Sequence, residues 1–440
     1  MIYILFAIVY FIFNKHRHSI MTVLMGLLLF TSVAAYLVGR QPDWEFSTVL
    51  YTLFNAILLY VLFRGFRKYC DVNVVETGNI NLSRLALVET VTTVFGIIVI
   101  LVYAYILMRI FPMLMMGTIA VQDYKNEGGA AEIWETMVPH ILITFGNFVA
   151  PFGYFFLSLH FYYLVKRNFR KAIKYVLLSS CLVLNGLVAL SRSVASQYVL
   201  LYVTILFFLM PLLSKKIKVG VSIVAIVILG AIVLGLGVIS DSRFSDYYTK
   251  ESKNEAILDE TEQSTLFSLF DYFAQWEENA PIILENHKFE YNSWGMYGCG
   301  GLAVLIQKKL YGGERINKER SAREDRILGM QKARFHGIIA RLVYDFGFFG
   351  TFLFILLYSS IIYRLGPKRG IVSFKALISL SLTLPPCVVF WAGNELGSLN
   401  LQLAIIYTLI IYRYVKMPYS QRKRVVNNQD MKVKDSIIVN

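Results

Sequence analysis

Apolar runs of roughly 20 residues recur along nearly the whole chain, and a run of that length is what a helix needs to cross a bilayer. They fall near 1–13, 19–39, 47–63, 85–107, 138–165, 175–190, 194–213, 219–240, 336–363, 371–391 and 399–415. That is about eleven spans, the first and sixth being short for a crossing of roughly 20 residues. The expected fold class is therefore an all-α polytopic membrane protein. Of the 440 residues, 56% are hydrophobic and only 16% are charged. A typical soluble domain carries roughly 25% charged residues. The opening "MIYILFAIVYFIF" has no charged stretch before its apolar run, so it reads as a short first span and not as a cleaved signal peptide.

The loops orient the spans. "NKHRH", "RGFRKYC", "KRNFRK", "SKKIK" and "RLGPKRG" are basic and fall in alternate loops, together with Arg84 and the tail "QRKRVV". The intervening "RQPDWEFS", "VQDYKNEGGAAEIWE" and "AGNELGS" are poor in Lys and Arg. With an odd number of spans, this alternation predicts an N-terminus outside and a C-terminus in the cytoplasm. It also accounts for the net charge of +14 without nucleic acid, because the positive charge sits in the loops that fix orientation.

Four segments follow. Residues 1–240 form a bundle of about eight spans. Residues 241–335 form one large external loop, and 336–415 add about three spans. Residues 416–440 form a basic cytoplasmic tail. Within the loop, "STLFSLFDYFAQWEENAPIIL" repeats apolar residues at helical spacing, which predicts an amphipathic helix on the membrane surface. The mixed-charge run "ERINKERSAREDRI" predicts a solvated helix. Four cysteines form no CxxC pair, no acidic cluster is spaced for a metal, and no glycine-rich phosphate loop precedes a helix. No metal and no cofactor are expected.

Candidate chemistry lies where charge meets the apolar runs. Arg192, in "LSRSVASQ", stands in a tiny external link, where a lone cation is disfavoured. Its guanidinium offers a fork of donors suited to phosphate, although snorkelling to headgroups would also explain it. Arg243, in "SDSRFSDYY", is flanked by Asp241 and Asp246 and could be no more than a local ion pair. "ARFHGIIARLVYDFGFFG" gathers Arg334, His336, Arg341 and Asp345 at the head of an apolar helix. Arg334, Arg341 and Asp345 share one helical face, with Arg341 and Asp345 spaced as an ordinary i,i+4 pair, and His336 points elsewhere. Histidine can take a proton near neutral pH, and neighbouring cations would keep it neutral, as a base must be. Gly347 and Gly350 read as helix-packing residues. In the long loop Trp276, Tyr291, Trp294 and Tyr297 could stack on sugar rings or anchor the chain at the interface.

Many spans, one large external loop toward the C-terminal side, "LSRS" opening a span and "FHGIIARLVYDFGFFG" closing the loop together resemble the O-antigen polymerase (Wzy-type) and O-antigen ligase group of bacterial membrane proteins. The longer paired Arg-to-Gly repeats of some polymerases are missing here. The resemblance implies a GT-C-like, inverting, metal-independent glycosyltransferase in the bacterial inner membrane. Donor and acceptor would be oligosaccharide repeat units on a polyprenyl diphosphate, and the product O-antigen, capsular or exopolysaccharide. Chain-length regulator and flippase proteins would be further partners, alongside membrane lipid. In this scheme Arg192 with Arg334 or Arg341 holds the diphosphate, His336 positions or deprotonates the acceptor, and Arg243, Asp345, Trp276 and Trp294 line the substrate. A ligase would need the same arginines. A lipid-glycan transporter would need ionisable groups deep in the membrane, where Glu89 stands nearly alone.

Overall fold

The computed structural model describes residues 2–14, 16, 18–42, 45–115, 134, 137–189, 192–220, 264–288, 295, 300–302, 335–393 and 395–416, the side chains of 111–115, 192–193, 264–266 and 268 excepted. Six helical segments among them are long and apolar enough to cross a membrane: Ile20–Leu37, Phe46–Lys68, Leu82–Ile110, Phe169–Val188, Val194–Leu212 and Gly337–Leu365. A seventh arises if His140–Val149 and Phe152–Val165, bent by 45°, form one broken span. Ile2–Phe13, Phe374–Thr383 and Leu399–Val415 are apolar but shorter. Ten of the expected spans thus coincide with apolar helices, and 219–240 lies almost wholly outside the described residues. Large apolar side chains face outward, among them Leu101, Met108, Leu357, Leu409 and Ile410, each more than 60% exposed. In water such a belt would be a liability, and in lipid it is the solvated surface. The chain is a helical integral membrane protein.

In chain order the helices are α1 (Ile2–Phe13), α2 (Ile20–Leu37), α3 (Phe46–Arg64), α4 (Leu82–Met115), α5 (His140–Val149), α6 (Phe152–Val165), α7 (Phe169–Ser179), α8 (Cys181–Val188), α9 (Arg192–Leu209), α10 (Ser264–Asn286), α11 (Gly337–Leu365), α12 (Phe374–Thr383), α13 (Pro385–Val388) and α14 (Leu399–Val415). Two short strands, β1 (Val74–Glu76) and β2 (Ile371–Ser373), pair in parallel with Val75 opposite Val372. They depart from an all-α reading. Their Val and Ile residues suit a pleated pair, and the pairing ties two basic loops together.

That pairing belongs to one end of the bundle, where the basic loops converge. Ile20 N donates to Tyr69 O at 3.1 Å, and Asn81 N donates to Val415 O at 2.8 Å. His18 packs on Phe207, Tyr69 packs on Phe208, and Arg84 donates to Tyr414 O at 3.0 Å. Asn168 caps α7 by accepting from Lys171 N, and Ser373 caps α12 by accepting from Ala376 N. Each cap satisfies a helix-start amide that would otherwise lack a partner. We call this the basic end.

Three breaks shape the interior. Pro151 separates α5 from α6, and Pro385 with Pro386 ends α12, since proline lacks the amide a helix needs. The third break is Gly347, inside α11, at φ 65° and ψ −177°, a backbone conformation essentially reserved for glycine. Gly347 is therefore a corner and not the packing glycine its sequence context suggests. After the corner, Phe348 packs on Tyr51 and Phe54, Ser359 donates to Val61 O, and Tyr363 takes Arg67 and Lys68 over its ring. The second half of α11 thus runs beside α3 down to the basic end.

The surface helix expected in the long loop is α10, and it lies inside the bundle. Phe270 and Phe273 meet Phe30 of α2, and Trp276 meets Tyr3 of α1. Arg40, just past α2, donates to Asp271 at 2.8 Å and to Glu278 at 3.0 Å. Asp271 is buried, so its charge needs that partner; the pair holds α10 against α2. Charge compensation is what a hydropathy reading of this segment could not foresee.

Candidate functional site

The first half of α11 carries the charged stretch into the interior. Its first amides have no intrahelical partners, and no side chain caps them. The broken chain after α13 does so instead: Gly337 N donates to Trp391 O at 3.0 Å and Ile338 N to Phe390 O at 2.7 Å. Gly337 has φ +76°, and a Cβ there would stand 3.3 Å from the Trp276 ring. Gly393 has φ +69°, and a Cβ there would stand 2.6 Å from Gly337 O and 2.9 Å from Arg341 Cγ. Both positions require glycine, for backbone conformation and for close approach.

His336, Arg341 and Asp345 are consequently all buried, not displayed at the mouth of the helix. Asn279 of α10 donates to Phe335 O at 3.0 Å and so fixes the chain just before His336. The lower dielectric around an enclosed Arg341 strengthens its field on any anion that reaches it. Trp276 is fully buried between Tyr3 and Phe390. In this arrangement it is a packing residue, because a sugar could stack on it only by displacing those rings. Arg192 opens α9, and its side chain is outside the described set. Arg243, Arg334, Tyr291, Trp294 and Tyr297 lie outside the described residues.

A second polar group adjoins the first and was not singled out by sequence. Two residues past Gly393 stands Glu395, partly exposed as a residue but with its carboxylate turned inward. Tyr154 of α6, Gln197 of α9 and Ser398 hydrogen-bond to it, and burial pushes its carboxyl up to about 6. Gln197 Nε2 also stands 3.5 Å from the Tyr154 hydroxyl. Further amides continue the group. Asn400 Nδ2 donates to Asn185 Oδ1 at 3.2 Å, and Asn185 Nδ2 donates to Tyr103 OH at 2.7 Å and Asn147 Oδ1 at 3.1 Å. Tyr103 OH donates to Asn147 Oδ1 at 3.0 Å. The α8–α9 hairpin that begins α9 with Arg192 holds Asn185 and Gln197, and it is tight: a Cβ at Gly186 would stand 2.6 Å from Val194 Cβ. Each of these amides is a single polar residue in an apolar run, which gives a linear sequence no pattern to detect.

Glu89, the carboxylate deepest in an expected span, is paired at the basic end. Lys171 Nζ donates to it at 3.0 Å, and the Tyr163 hydroxyl donates to its other oxygen. Among the described residues, His16, Cys70 and Asp71 also come together there, with ligand atoms within 4.8 Å of one another. His16 Nδ1 and Asp71 Oδ2 are already in hydrogen-bond contact at the surface, and Cys70 Sγ donates to Arg67 O at 3.3 Å.

Comparison with models of known families, with curated proteins and with solved structures found no match to this chain. The geometry therefore defines a class: a multi-helix membrane protein with an enclosed Arg–His–Asp stretch and, nearby, a group of amides and a carboxylate.

Proposed function

We propose that the chain polymerises oligosaccharide repeat units carried on a polyprenyl diphosphate. It would do so at the outer face of a bacterial inner membrane, with its N-terminus outside and its basic end in the cytoplasm. The single observation that carries the reading is Arg341, a permanently charged guanidinium buried in an apolar bundle at a break between helices. Ionisable groups within membranes are costly and mark substrate paths. A lipid diphosphate arrives sideways from the bilayer, and its charge has to be met within the helical bundle.

In the proposed step an acceptor hydroxyl attacks the donor's anomeric carbon on the face opposite the diphosphate. The C1–O bond breaks, its electron pair leaves with the diphosphate, and the hydroxyl proton passes to a base. Arg341, with Arg192 and Arg334, stabilises the leaving charge. His336 positions the acceptor or takes its proton, and Asp345 orients the arginine-bearing face. Donors aimed at developing charge in a water-poor site act without reorganising, and removing one typically costs roughly 10²–10³ in rate. Glu89, the carboxylate deepest in an expected span, is paired with Lys171 and so does not supply the free ionisable group that an ion-coupled transporter uses.

The test is a gel of surface glycan and lipid-linked intermediates from the native strain, its gene deletion, and the deletion carrying Arg341→Ala or Arg192→Ala. A polymerase requires the long ladder to collapse to one repeat unit on its normal acceptor. Long chains stranded on the polyprenyl carrier would identify a ligase instead. An unchanged ladder in the deletion strain would overturn both.

A further inference from the structure

We infer that the polar group of Asn147, Asn185, Asn400, Tyr154, Gln197 and Glu395 is a sugar-binding subsite, which takes the hydroxyls of the acceptor repeat unit beside Arg341. The inference rests on the glycan-transfer reading and adds to it the place where the acceptor's sugar lies.

The chemistry matches hydroxyls. Sugar rings present groups that both donate and accept, and amides, phenols and carboxylates in a fixed array answer both needs. Asn147, Asn185 and Asn400 are partly exposed, whereas polar residues that merely glue helices together are usually enclosed. Their mutual bonds leave capacity over. Among the described residues, Asn147 Nδ2 and Asn400 Oδ1 make no hydrogen bond, so the array presents one spare donor and one spare acceptor. Among the described residues, Glu395 accepts from the neutral groups of Tyr154, Gln197 and Ser398. A carboxylate held that way can accept a further bond from a sugar hydroxyl, and bonds to charged groups are the stronger kind.

The position also fits. Gly393 abuts Arg341 Cγ, Glu395 follows two residues later, and Gln197 lies on the helix that Arg192 begins. An acceptor held by Glu395 would therefore lie near Arg341. Two residues of the long loop, Gly301 and Leu302, meet the start of α14. Leu302 N donates to Gln402 Oε1 at 2.9 Å, Gln402 Nε2 donates to Leu396 O at 3.0 Å, and a Cβ at Gly301 would stand 2.5 Å from Leu399 N. Gly301 and Leu302 are thus seated against the start of α14, next to Asn400.

The experiment uses membranes from the deletion strain carrying wild type, Glu395→Gln or Asn400→Leu. The probe is the lipid-linked repeat unit extracted from the deletion strain itself. Chain-growth rate is followed against its concentration. Each variant should raise the apparent KM about tenfold or more, the usual consequence of leaving a hydroxyl-binding group unmatched, while kcat changes far less. Where a variant inserts poorly, Asn147→Ala and Asn400→Ala replace it, since they remove the spare donor and acceptor without added bulk. If the deletion abolishes chain growth and these variants keep the wild-type KM, the amides are interhelical glue and the subsite is wrong while the polymerase reading stands. If the deletion leaves chain growth intact, the polymerase reading fails and the subsite fails with it.

Discussion

Glu89 and Glu395 are two carboxylates turned into the same apolar bundle, toward opposite ends of it, and their surroundings differ in kind. Glu89 has a cation, Lys171, on one oxygen and the Tyr163 hydroxyl on the other. Its charge is compensated by groups of the protein itself. Glu395 has Tyr154, Gln197 and Ser398, all neutral. Its charge is solvated by dipoles but not cancelled, and burial raises its carboxyl to about 6. A paired carboxylate holds helices together, whereas one lodged among neutral donors is maintained at a cost and implies a ligand.

The largest effect expected is on Arg341. Arg341→Ala should lower polymerisation by roughly 10²–10³, while the protein still inserts. A ladder of normal length from that variant would sink the contrast between structural and functional charges. Next comes Gly393→Ala, which puts a side chain at φ +69° and against Gly337 O and Arg341 Cγ. It should cost about 2–3 kcal/mol in thermal unfolding in detergent and activity as well. A silent substitution would mean that this junction does not hold Arg341 in place.

At the basic end Lys171→Met leaves the Glu89 carboxylate with Tyr163 alone. A fully enclosed pair broken this way costs about 3–5 kcal/mol, and since the Lys171 side chain is 42% exposed, a loss of about 2 kcal/mol is expected. Glycan length should not change, and a shortened ladder without loss of stability would give Glu89 a functional role after all. The smallest effect sharpens the Glu395 side. Its carboxyl titrates higher in the folded chain than the usual 4.5, so the folded state holds the proton more tightly than the unfolded state. Ionising it therefore costs stability as pH rises through about 6. Glu395→Gln should match wild type in stability near pH 4 and exceed it by about 1–2 kcal/mol at pH 8. A variant less stable at pH 8 would make Glu395 structural, like Glu89.

What could be read from the linear chain follows from physics that acts along it. Apolar runs such as 47–63 and 85–107 become helices because every backbone amide within lipid must be satisfied inside its own segment. The basic loops "RGFRKYC", "KRNFRK" and "RLGPKRG" meet at one end because alternate crossings return the chain to the same side. The arginine- and histidine-bearing stretch 334–345 stood out because charge beside an apolar run is rare.

Where that stretch lies was decided in three dimensions. Gly347 turns α11, and the backbone carbonyls of Phe390 and Trp391, more than 50 residues downstream, cap its first amides inside the bundle. The amide group is likewise a product of packing. Asn185 and Asn400 are 215 positions apart, and Glu395 meets Gln197 and Tyr154 only when α6, α9 and the link before α14 come together. Composition and periodicity report what each segment prefers as solvent. Which polar side chains share an interior depends on contacts between distant segments, and those exist only in the folded chain.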